Sequence, residues 1–348
     1  MAKIIRYNGN LVPFASASLG TERTIFGEVT QADDITSQYT ADFLRGWGIV
    51  GPSDQPTLQD FNAVSYTHGQ ILSYLHQVGV PEYNAAQEYH LGSFCNVSGV
   101  LYASLTNTNV GNPPASSPAQ WKAMPQNGVA RYTASGSFTV PPGVTTIYVS
   151  AAAGGGGGGG GGSNNTGNAA ASGGSGGGAG QSIIREPFTV TPGQVIAITI
   201  GGAGTGGSGG AQALNNATAG GPGGVTTIGS LSNLLGGGGG SAGKQGNSDT
   251  VPPGPAGGSG SPNGSDASDG SIVSASVAAG WAGVSGAGAS SKFGAGGGAS
   301  KSGLGAGANG KASDGFGAAG GGGGGCYTSG GPGGNGGAGS PGIAIIEW

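Results

Sequence analysis

Apolar side chains recur at helical spacing in one stretch of the chain, residues 56–79. The residues that carry this spacing are Leu58, Phe61, Val64, Ile71, Leu72, Leu75 and Val78. Thr57 stands at the N-cap position with Asp60 three residues later, and Gly79 stands where a C-cap belongs. The pattern predicts a helix that Gly69 could divide into two.

Residues 88–124 show a different pattern, in which short runs of alternating apolar and polar residues are separated by turn residues. This alternation predicts a small aromatic β-module over residues 88–128. The preceding residues 1–55 carry isolated aromatic residues without a continuous apolar pattern. They are expected to form either an arm that docks onto another protein or an ordinary N-terminal subdomain.

After residue 128, strand patterns alternate with glycine tracts. The run Phe138–Ser150 leads into Gly154–Gly162, which is nine consecutive glycines. The sequence predicts a β-scaffold built from residues 136–150, 183–200, 224–229 and 342–348, with part of its core supplied by Ile147, Val149, Val195, Ile198 and Ile200. The glycine tracts would leave this scaffold and return to it.

The glycine tracts admit two interpretations. The first is a flexible linker of low complexity. In the second, glycine is required because extended helices with three residues per turn pack backbone against backbone, as in polyglycine II. Glycine tracts recur after residues 154, 201, 236, 294 and 320, and the chain ends in a strand pattern, which favours ordered packing. Collagen is not expected, because the tracts lack a strict glycine at every third position.

Composition narrows the functional classes. Of the 84 glycines, 12 precede residue 129, so the composition shifts at that point. Charged residues make up 7% of the chain and the net charge is −4, with no basic cluster, so binding to nucleic acid is not expected. No apolar stretch is long enough for a transmembrane helix, and no signal peptide is recognised at the N-terminus. The two cysteines, Cys95 and Cys326, fall in different predicted domains and are expected to be reduced.

Candidate catalytic groups are sparse. His68 and His76 are eight residues apart, about 12 Å along a helix, which disfavours a shared metal site. Asp266 and Asp269 lack the ligand count of a calcium loop and are expected in a solvated turn. The glycine runs match dinucleotide-binding patterns only by chance, since none opens a helix. We therefore expect neither an enzyme nor a cofactor or metal.

The β-module carries a resemblance to a known family. The order of its residues is similar to the small chitin-binding-type module of bacterial chitinases and phage tail fibres, through Tyr89, Gly92, Gly99, Tyr102, Ser104, Asn109, Gly111, Pro113, Ser117 and Trp121. The resemblance implies that Tyr89, Tyr102 and Trp121 stack on sugar rings. The alternative is that these aromatic residues form the core of a domain too small to spare them.

The N-terminal 128 residues resemble the N-terminal part of tail-fibre proteins of tailed bacteriophages. The stretches that carry this likeness are residues 23–27, 46–48, 56–62 and 79–83, together with the β-module. The resemblance implies attachment to other tail or baseplate proteins and a homotrimer. The glycine-rich part is similar in composition and layout to the glycine-rich tips of tail fibres and adhesins.

That similarity implies a receptor-binding tip. Polar inserts are expected to form loops that join the glycine tracts, at residues 163–168, 212–218, 244–251, 262–269 and 311–316. Candidates for receptor contact are Trp281, Phe293, Phe316, Tyr327 and Lys244. The four large aromatic side chains could instead pack at the margin of the glycine layer or at a trimer interface.

The expected fold class is α+β and modular, with short N-terminal helices, a small β-module and a glycine-rich, β-sandwich-like domain with polyglycine-II-type helices. The expected domains are residues 1–55, 56–87, 88–128 and 129–348. The expected function is non-catalytic, multivalent attachment of a virion to a host receptor such as a pilus, a polysaccharide or an outer-membrane protein. The alternatives are a carbohydrate-binding module protein and an architectural tail component that binds nothing.

Overall fold

Helices and strands occupy different parts of the chain, and strands predominate. The computed structural model describes residues 13–32, 34–46, 56–164, 169–212, 217–246, 250–271, 283–327 and 331–348. Within these ranges every helix precedes residue 79 and every strand follows residue 93. The chain divides into two compact units after Met124. The fold is thus α+β and modular, and the finer division at residues 55 and 87 stays a prediction.

The helices of the first unit are α1 (Ile35–Gln38), α2 (Ala41–Arg45) and α3 (Leu58–Val78), preceded by a 3₁₀ turn at Gly20–Glu22. Helix α3 begins and ends where the sequence predicts. Thr57 and Asp60 form a capping box, and Gly79 ends the helix with a φ of +72°, a conformation that favours glycine. Gly69 does not divide the helix. It lies instead against Pro13, where an added Cβ would come within 2.8 Å of the Pro13 Cα.

The inner side of α3 carries polar as well as apolar residues, since Asp60, Thr67 and Ser73 are buried there together with Ala63 and Tyr66. Asp60 is buried and accepts hydrogen bonds from the Gly27 N–H (3.0 Å) and from the Thr57 hydroxyl (2.7 Å). The fully buried Gln38 of α1 donates to the Thr24 carbonyl at 2.9 Å and accepts from the Phe26 N–H at 3.2 Å. Hydrogen bonds therefore connect α3 and α1 to the loop around Gly27 in this part of the unit.

The β-module contains β1 (Phe94–Val97), β2 (Val100–Ser104) and β3 (Trp121–Ala123), all antiparallel and in that order in the sheet. The second unit contains eight further strands: β4 (Val129–Tyr132), β5 (Gly136–Thr139), β6 (Thr146–Ala152), β7 (Ser182–Thr189), β8 (Val195–Thr199), β9 (Thr226–Ile228), β10 (Ser232–Leu234) and β11 (Ile343–Glu347). They form two four-stranded sheets, in the orders β10-β9-β8-β5 and β4-β11-β6-β7.

The two sheets of the second unit share one hydrophobic core. Phe138, Ile196, Ile198 and Ile228 of one sheet pack with Ile147, Val149 and Ile346 of the other. The predicted strand 136–150 is two strands in different sheets, because the turn after Val140 redirects the chain. The prediction that Val195 joins the core is wrong. Alternate residues of β8 face opposite sides, so Ile196 and Ile198 point inward and Val195 is 66% exposed.

The carboxylate of Asp60 makes the first unit sensitive to acid. Burial raises the pKa of Asp60, but hydrogen bonds from Gly27 and Thr57 outweigh it, so the pKa lies below its ordinary value. The ionised carboxylate therefore stabilises the fold above the ordinary aspartate pKa of about 3.9, and that contribution is lost as the pH falls through the lower folded-state pKa.

We predict that Asp60→Asn shrinks the difference in unfolding free energy of the first unit between pH 7 and pH 3. Urea titrations at both pH values measure this difference. Glu28→Gln is the matched control, since it removes an exposed carboxylate from the same unit. An equal pH dependence in wild type and Asp60→Asn would contradict the role given to Asp60.

Candidate functional site

The nine-glycine tract after β6 is the centre of a backbone hydrogen-bond network. The N–H groups of Gly154–Gly162 donate, in a repeat of three residues, to three neighbouring stretches at 2.9–3.0 Å. Gly154, Gly157 and Gly160 donate to carbonyls of residues 218–224, and the next residue of each triplet donates to residues 334–340. The third residue of each triplet donates to residues 172–178. These three neighbours run antiparallel to the tract.

The carbonyl groups of the same tract accept in the same repeat. Residues 237–243, 204–210 and 320–326 supply the donors at 2.8–3.1 Å, and these three neighbours run parallel to the tract. Each residue of the tract thus pairs both of its backbone polar groups with a different chain segment. The tract is surrounded by six segments, and its peptide groups are satisfied without side chains.

Two other segments, residues 169–180 and 318–326, are also surrounded by neighbours on all sides. We call these two and residues 153–163 the central segments. Nine outer segments enclose them: residues 201–211, 218–225, 236–246, 251–260, 263–271, 283–290, 294–302, 306–314 and 331–342. Together the central and outer segments form what we call the glycine lattice.

Steric contact explains the composition of the central segments. A Cβ added to Gly155 would lie 2.0 Å from the Ala318 carbonyl oxygen, and one added to Gly158 would lie 2.1 Å from that of Gly321. Because neighbouring backbones occupy every direction, the central segments consist of glycine, alanine and serine, with Cys326 at the end of one. Outer segments have one open direction. In residues 331–342 every third side chain is exposed, at Pro332, Asn335, Ala338 and Pro341.

Side-chain oxygens complete the network at the surface. Asn263, Asp266 and Asp269 are three residues apart in one outer segment and accept from the N–H groups of Gly260, Gly257 and Gly254 at 2.7–2.8 Å. Asp266 and Asp269 are exposed to solvent, as expected, but they lie in an outer segment and not in a turn. Most of the predicted loops 262–269 and 311–316 likewise belong to outer segments, because their backbones bond to neighbouring segments.

The lattice has two different ends. At the sheet end, the segments join the strands or turn at Ser261–Asn263, Ser291–Gly294 and Asp314–Gly317. At the opposite end, which we call the free end, chain continuity requires six connections. Five of them include residues outside the described ranges, at 165–168, 213–216, 247–249, 272–282 and 328–330. The sixth is the described turn Gly303–Ala306.

The candidate receptor residues lie at both ends. Lys244 is exposed and lies at the free end, where its backbone bonds to Ser172, and Tyr327 lies there too, bonded through its N–H to Gly303. Phe293 and Phe316 pair with each other at the sheet end, where the Arg131 guanidinium stands 5.3 Å from the Phe316 ring. Trp281 lies outside the described residues. Among the described candidates, the structure thus places Lys244 and Tyr327 at one end of the lattice and Phe293 and Phe316 at the other.

Three further exposed side chains at the free end were missed by sequence reasoning. Leu304 is 71% exposed, Val251 is 46% exposed, and Lys301 is exposed nearby along the segment that leads to Leu304. The sequence signal for Leu304 was its position between Gly303 and Gly305, where a turn carries one large apolar residue. Gly305 has a φ of +84° in that turn.

The three glycan-stacking candidates form the core of the β-module. Tyr89, Tyr102 and Trp121 are buried, with exposed fractions of 7%, 9% and 3%. The Trp121 ring lies edge-on to Tyr89 at 5.0 Å, and its Nε1 donates to the Asn112 carbonyl at 2.8 Å. Burial leaves these rings no free face for a sugar. The geometry therefore favours the structural role that sequence reasoning left open.

The described residues offer little reactive chemistry. No group of three or more His, Cys, Asp or Glu side chains is placed to hold a metal within the described ranges. Burial raises the pKa of the Cys95 thiol to about 11, which keeps it protonated at neutral pH. Among the described helices, none combines the length and hydrophobicity needed to cross a membrane.

Comparison with protein families identifies the glycine-rich part of the chain as a known kind of domain. A model of the glycine-rich domain matches residues 133–348, which is more than half of the chain. The chain belongs to the glycine-rich domain family. The match begins just after β4 and extends to the last residue, so the glycine-rich domain includes nearly all of both sheets and the whole lattice. No curated protein matches the chain in sequence.

We predict that one methyl group in a central segment destabilises the glycine-rich domain. Gly158→Ala places a Cβ against the Gly321 carbonyl and should lower the free energy of unfolding by about 3 kcal/mol or more. Gly202→Ala is the matched control, because nothing lies within 4 Å of its added Cβ. Differential scanning calorimetry of the full chain measures both. Equal transition temperatures would mean that the tract is a linker.

We predict a structural effect of Trp121→Ala. Loss of this buried ring should destabilise the β-module by about 3–5 kcal/mol, whereas Phe94→Ala, at a side chain 50% exposed, should change it far less. Hydrogen–deuterium exchange of peptides covering β1 and β2 measures the loss of protection. If Trp121→Ala kept full protection but lost glycan binding, the stacking role would replace the structural one.

Proposed function

We propose that this protein is a tail-fibre protein of a tailed bacteriophage that attaches the virion to a host receptor by non-catalytic binding. The free end of the glycine lattice is the proposed binding tip. The observation that carries this proposal is that the described segments of the lattice join the strands or turn at the sheet end, while their other described ends and the turn Gly303–Ala306 lie together at the free end. Connections on a rigid scaffold are where binding surfaces usually form.

Rigidity of the lattice is the first step of the argument. We propose that its segments are polyglycine-II-type helices and that the two sheets form a sandwich at their base. The three-residue repeat of the hydrogen bonds supports the first part, and the shared core supports the second. At about 3.1 Å per residue, a nine-glycine tract spans roughly 28 Å. Such a rod holds the free end away from the sheets at a fixed geometry.

The side chains of the free end are the second step. Lys244, Lys301, Leu304 and Val251 give this end exposed charge and apolar surface. Elsewhere the described outer segments present mainly small or polar side chains. A surface with both apolar and cationic groups suits a protein or polysaccharide receptor. Phe293 and Phe316 belong to the sheet end and are not part of the proposed tip.

Multivalency is the third step. The first unit would attach the fibre to other tail or baseplate proteins and assemble it as a homotrimer, with three tips on one virion structure. Linked weak sites gain avidity through a high effective concentration, so each tip needs only modest affinity. A tail component that binds nothing is the remaining alternative. The carbohydrate-binding alternative loses its proposed aromatic platform through the burial of Tyr102 and Trp121.

We predict that the purified full chain competes with virions for host cells and that Leu304→Asp weakens this competition. Virions left unbound are counted after host cells have been incubated with increasing protein. Because the variant loses an apolar contact with the receptor, the protein concentration that blocks half of the virion adsorption should rise about tenfold. This corresponds to a loss of about 1.4 kcal/mol in binding free energy. The matched control is Val195→Asp, since Val195 is 66% exposed on β8, away from the free end.

The outcomes separate the alternatives. A wild-type chain that blocks no adsorption would refute the receptor-binding function and favour an architectural role. A block that Val195→Asp and Leu304→Asp reduce equally would keep the function but place the binding surface elsewhere on the protein.

A further inference from the structure

A fully buried side-chain amide, that of Asn164, lies at the free end of the glycine lattice. The sequence pattern places this residue in a predicted polar loop, residues 163–168, yet its exposed fraction is 0%. Burying an amide costs free energy unless its polar atoms are hydrogen-bonded. The hydrogen bonds of Asn164 therefore show what the amide does in this position.

The Asn164 amide joins chain segments that are distant in sequence. Its Nδ2 donates to the carbonyl of Ala169, at the start of the next central segment, and to the carbonyl of Tyr327 at 2.9 Å. The backbone N–H of Asn164 donates to the Gly331 carbonyl at 3.2 Å, and Asn164 forms a parallel bridge with Gly246. Asn164 thus links the described chain ends that flank three of the connections at the free end.

Tyr327 extends these contacts to the turn that carries Leu304. Its carbonyl accepts from Asn164, and its N–H donates to the Gly303 carbonyl at 3.0 Å. Gly303 is the first residue of the turn Gly303–Ala306, in which Leu304 is 71% exposed. A continuous series of hydrogen bonds therefore runs from the buried amide through Tyr327 to the turn that presents Leu304.

The chemistry of this contact requires an amide at position 164. Two carbonyl oxygens, those of Ala169 and Tyr327, converge on Nδ2, and both are acceptors. An NH₂ group has two donors and satisfies both oxygens, whereas a hydroxyl has one donor and a carboxylate has none. A carboxylate here would place a buried negative charge against two carbonyl oxygens.

We propose that Asn164 is a positioning residue of the binding tip. Through its two side-chain hydrogen bonds it fixes the turn that presents Leu304 relative to the neighbouring chain ends. This inference rests on the proposed function, because it takes the free end as the binding tip. Asn164 is buried and touches no receptor, so its effect on binding passes through Tyr327 and Leu304.

The first test uses the full chain without host cells. Asn164→Asp should speed hydrogen–deuterium exchange of the Tyr327 N–H about tenfold, the effect of losing one hydrogen bond that holds this residue. Exchange is followed by NMR, and the Gly155 N–H, near β6 in the same central segment, should keep its wild-type rate. Asn164→Ala removes both donors without adding a charge and should act in the same direction, which covers the case in which Asn164→Asp does not fold.

The matched control for this exchange measurement is Asn263→Asp. Asn263 lies at the sheet end, where its Oδ1 accepts from the Gly260 N–H at 2.8 Å. A carboxylate keeps this acceptor. The variant should therefore leave the exchange of the Tyr327 N–H unchanged.

The second test measures adsorption competition by the full chain, at a temperature at which calorimetry finds every variant folded. Asn164→Asp should raise the concentration that blocks half of the adsorption about tenfold, and should weaken Leu304→Asp little further, because both act through one turn. Gly158→Ala is the control for stability, since it destabilises the lattice in the middle of the tract and should block adsorption like the wild type.

Three results would overturn the proposal. The first is an unchanged exchange rate of the Tyr327 N–H in both Asn164 variants, and the second is a loss of competition that adds fully to that of Leu304→Asp. The third is an equal loss in Gly158→Ala, which would mean that Asn164 acts only through the stability of the lattice. If the wild-type chain blocked no adsorption while the exchange rates changed as expected, the receptor-binding function alone would be refuted, and the positioning of the turn by Asn164 would be supported.

Discussion

Close contact between peptide groups is the constraint on which the second unit depends. In each residue of Gly154–Gly162, the N–H group donates a hydrogen bond to one neighbouring segment and the carbonyl group accepts one from another. Backbone atoms of the neighbouring segments also occupy the space that a Cβ would need. Hydrogen bonding and steric exclusion therefore act together. The hydrophobic core between the two sheets has a complementary role, because it fixes the points at which segments leave and return. Without that base, the entropy cost of ordering so many glycines would oppose the lattice.

Sequence patterns predicted the parts of the fold that local chemistry determines. Thr57, Asp60 and Gly79 determine both ends of α3, and the apolar end of the chain is strand β11. Other features depend on long-range packing. The inward side of β8 is decided by which sheet faces it, so Val195 could not be told from Ile196 by residue type. Each turn of the lattice reverses the chain direction, so the number of preceding turns decides whether Phe293 and Phe316 lie at the sheet end or at the free end. That number could not be read from the sequence, because turns at the two ends look alike.

The two units are stabilised by different kinds of interaction. The first unit places hydrogen-bonded polar groups around Gln38 and Asp60 at the inner side of α3 and leaves leucines on its surface. The second unit needs few large side chains, because backbone groups satisfy one another. The first unit thus depends on the placement of particular polar side chains, whereas the geometry of the lattice depends mainly on backbone hydrogen bonds.

The backbone lattice also bears on how the domain responds to temperature. Unfolding an ordinary core exposes apolar surface, which raises the heat capacity, whereas exposing peptide groups lowers it. The lattice buries peptide groups in place of large apolar side chains, as the central segments illustrate. Its heat-capacity change per residue should therefore be small, and its stability curve should be flat. Such a domain would lose little stability in the cold, where the hydrophobic driving force of ordinary proteins weakens.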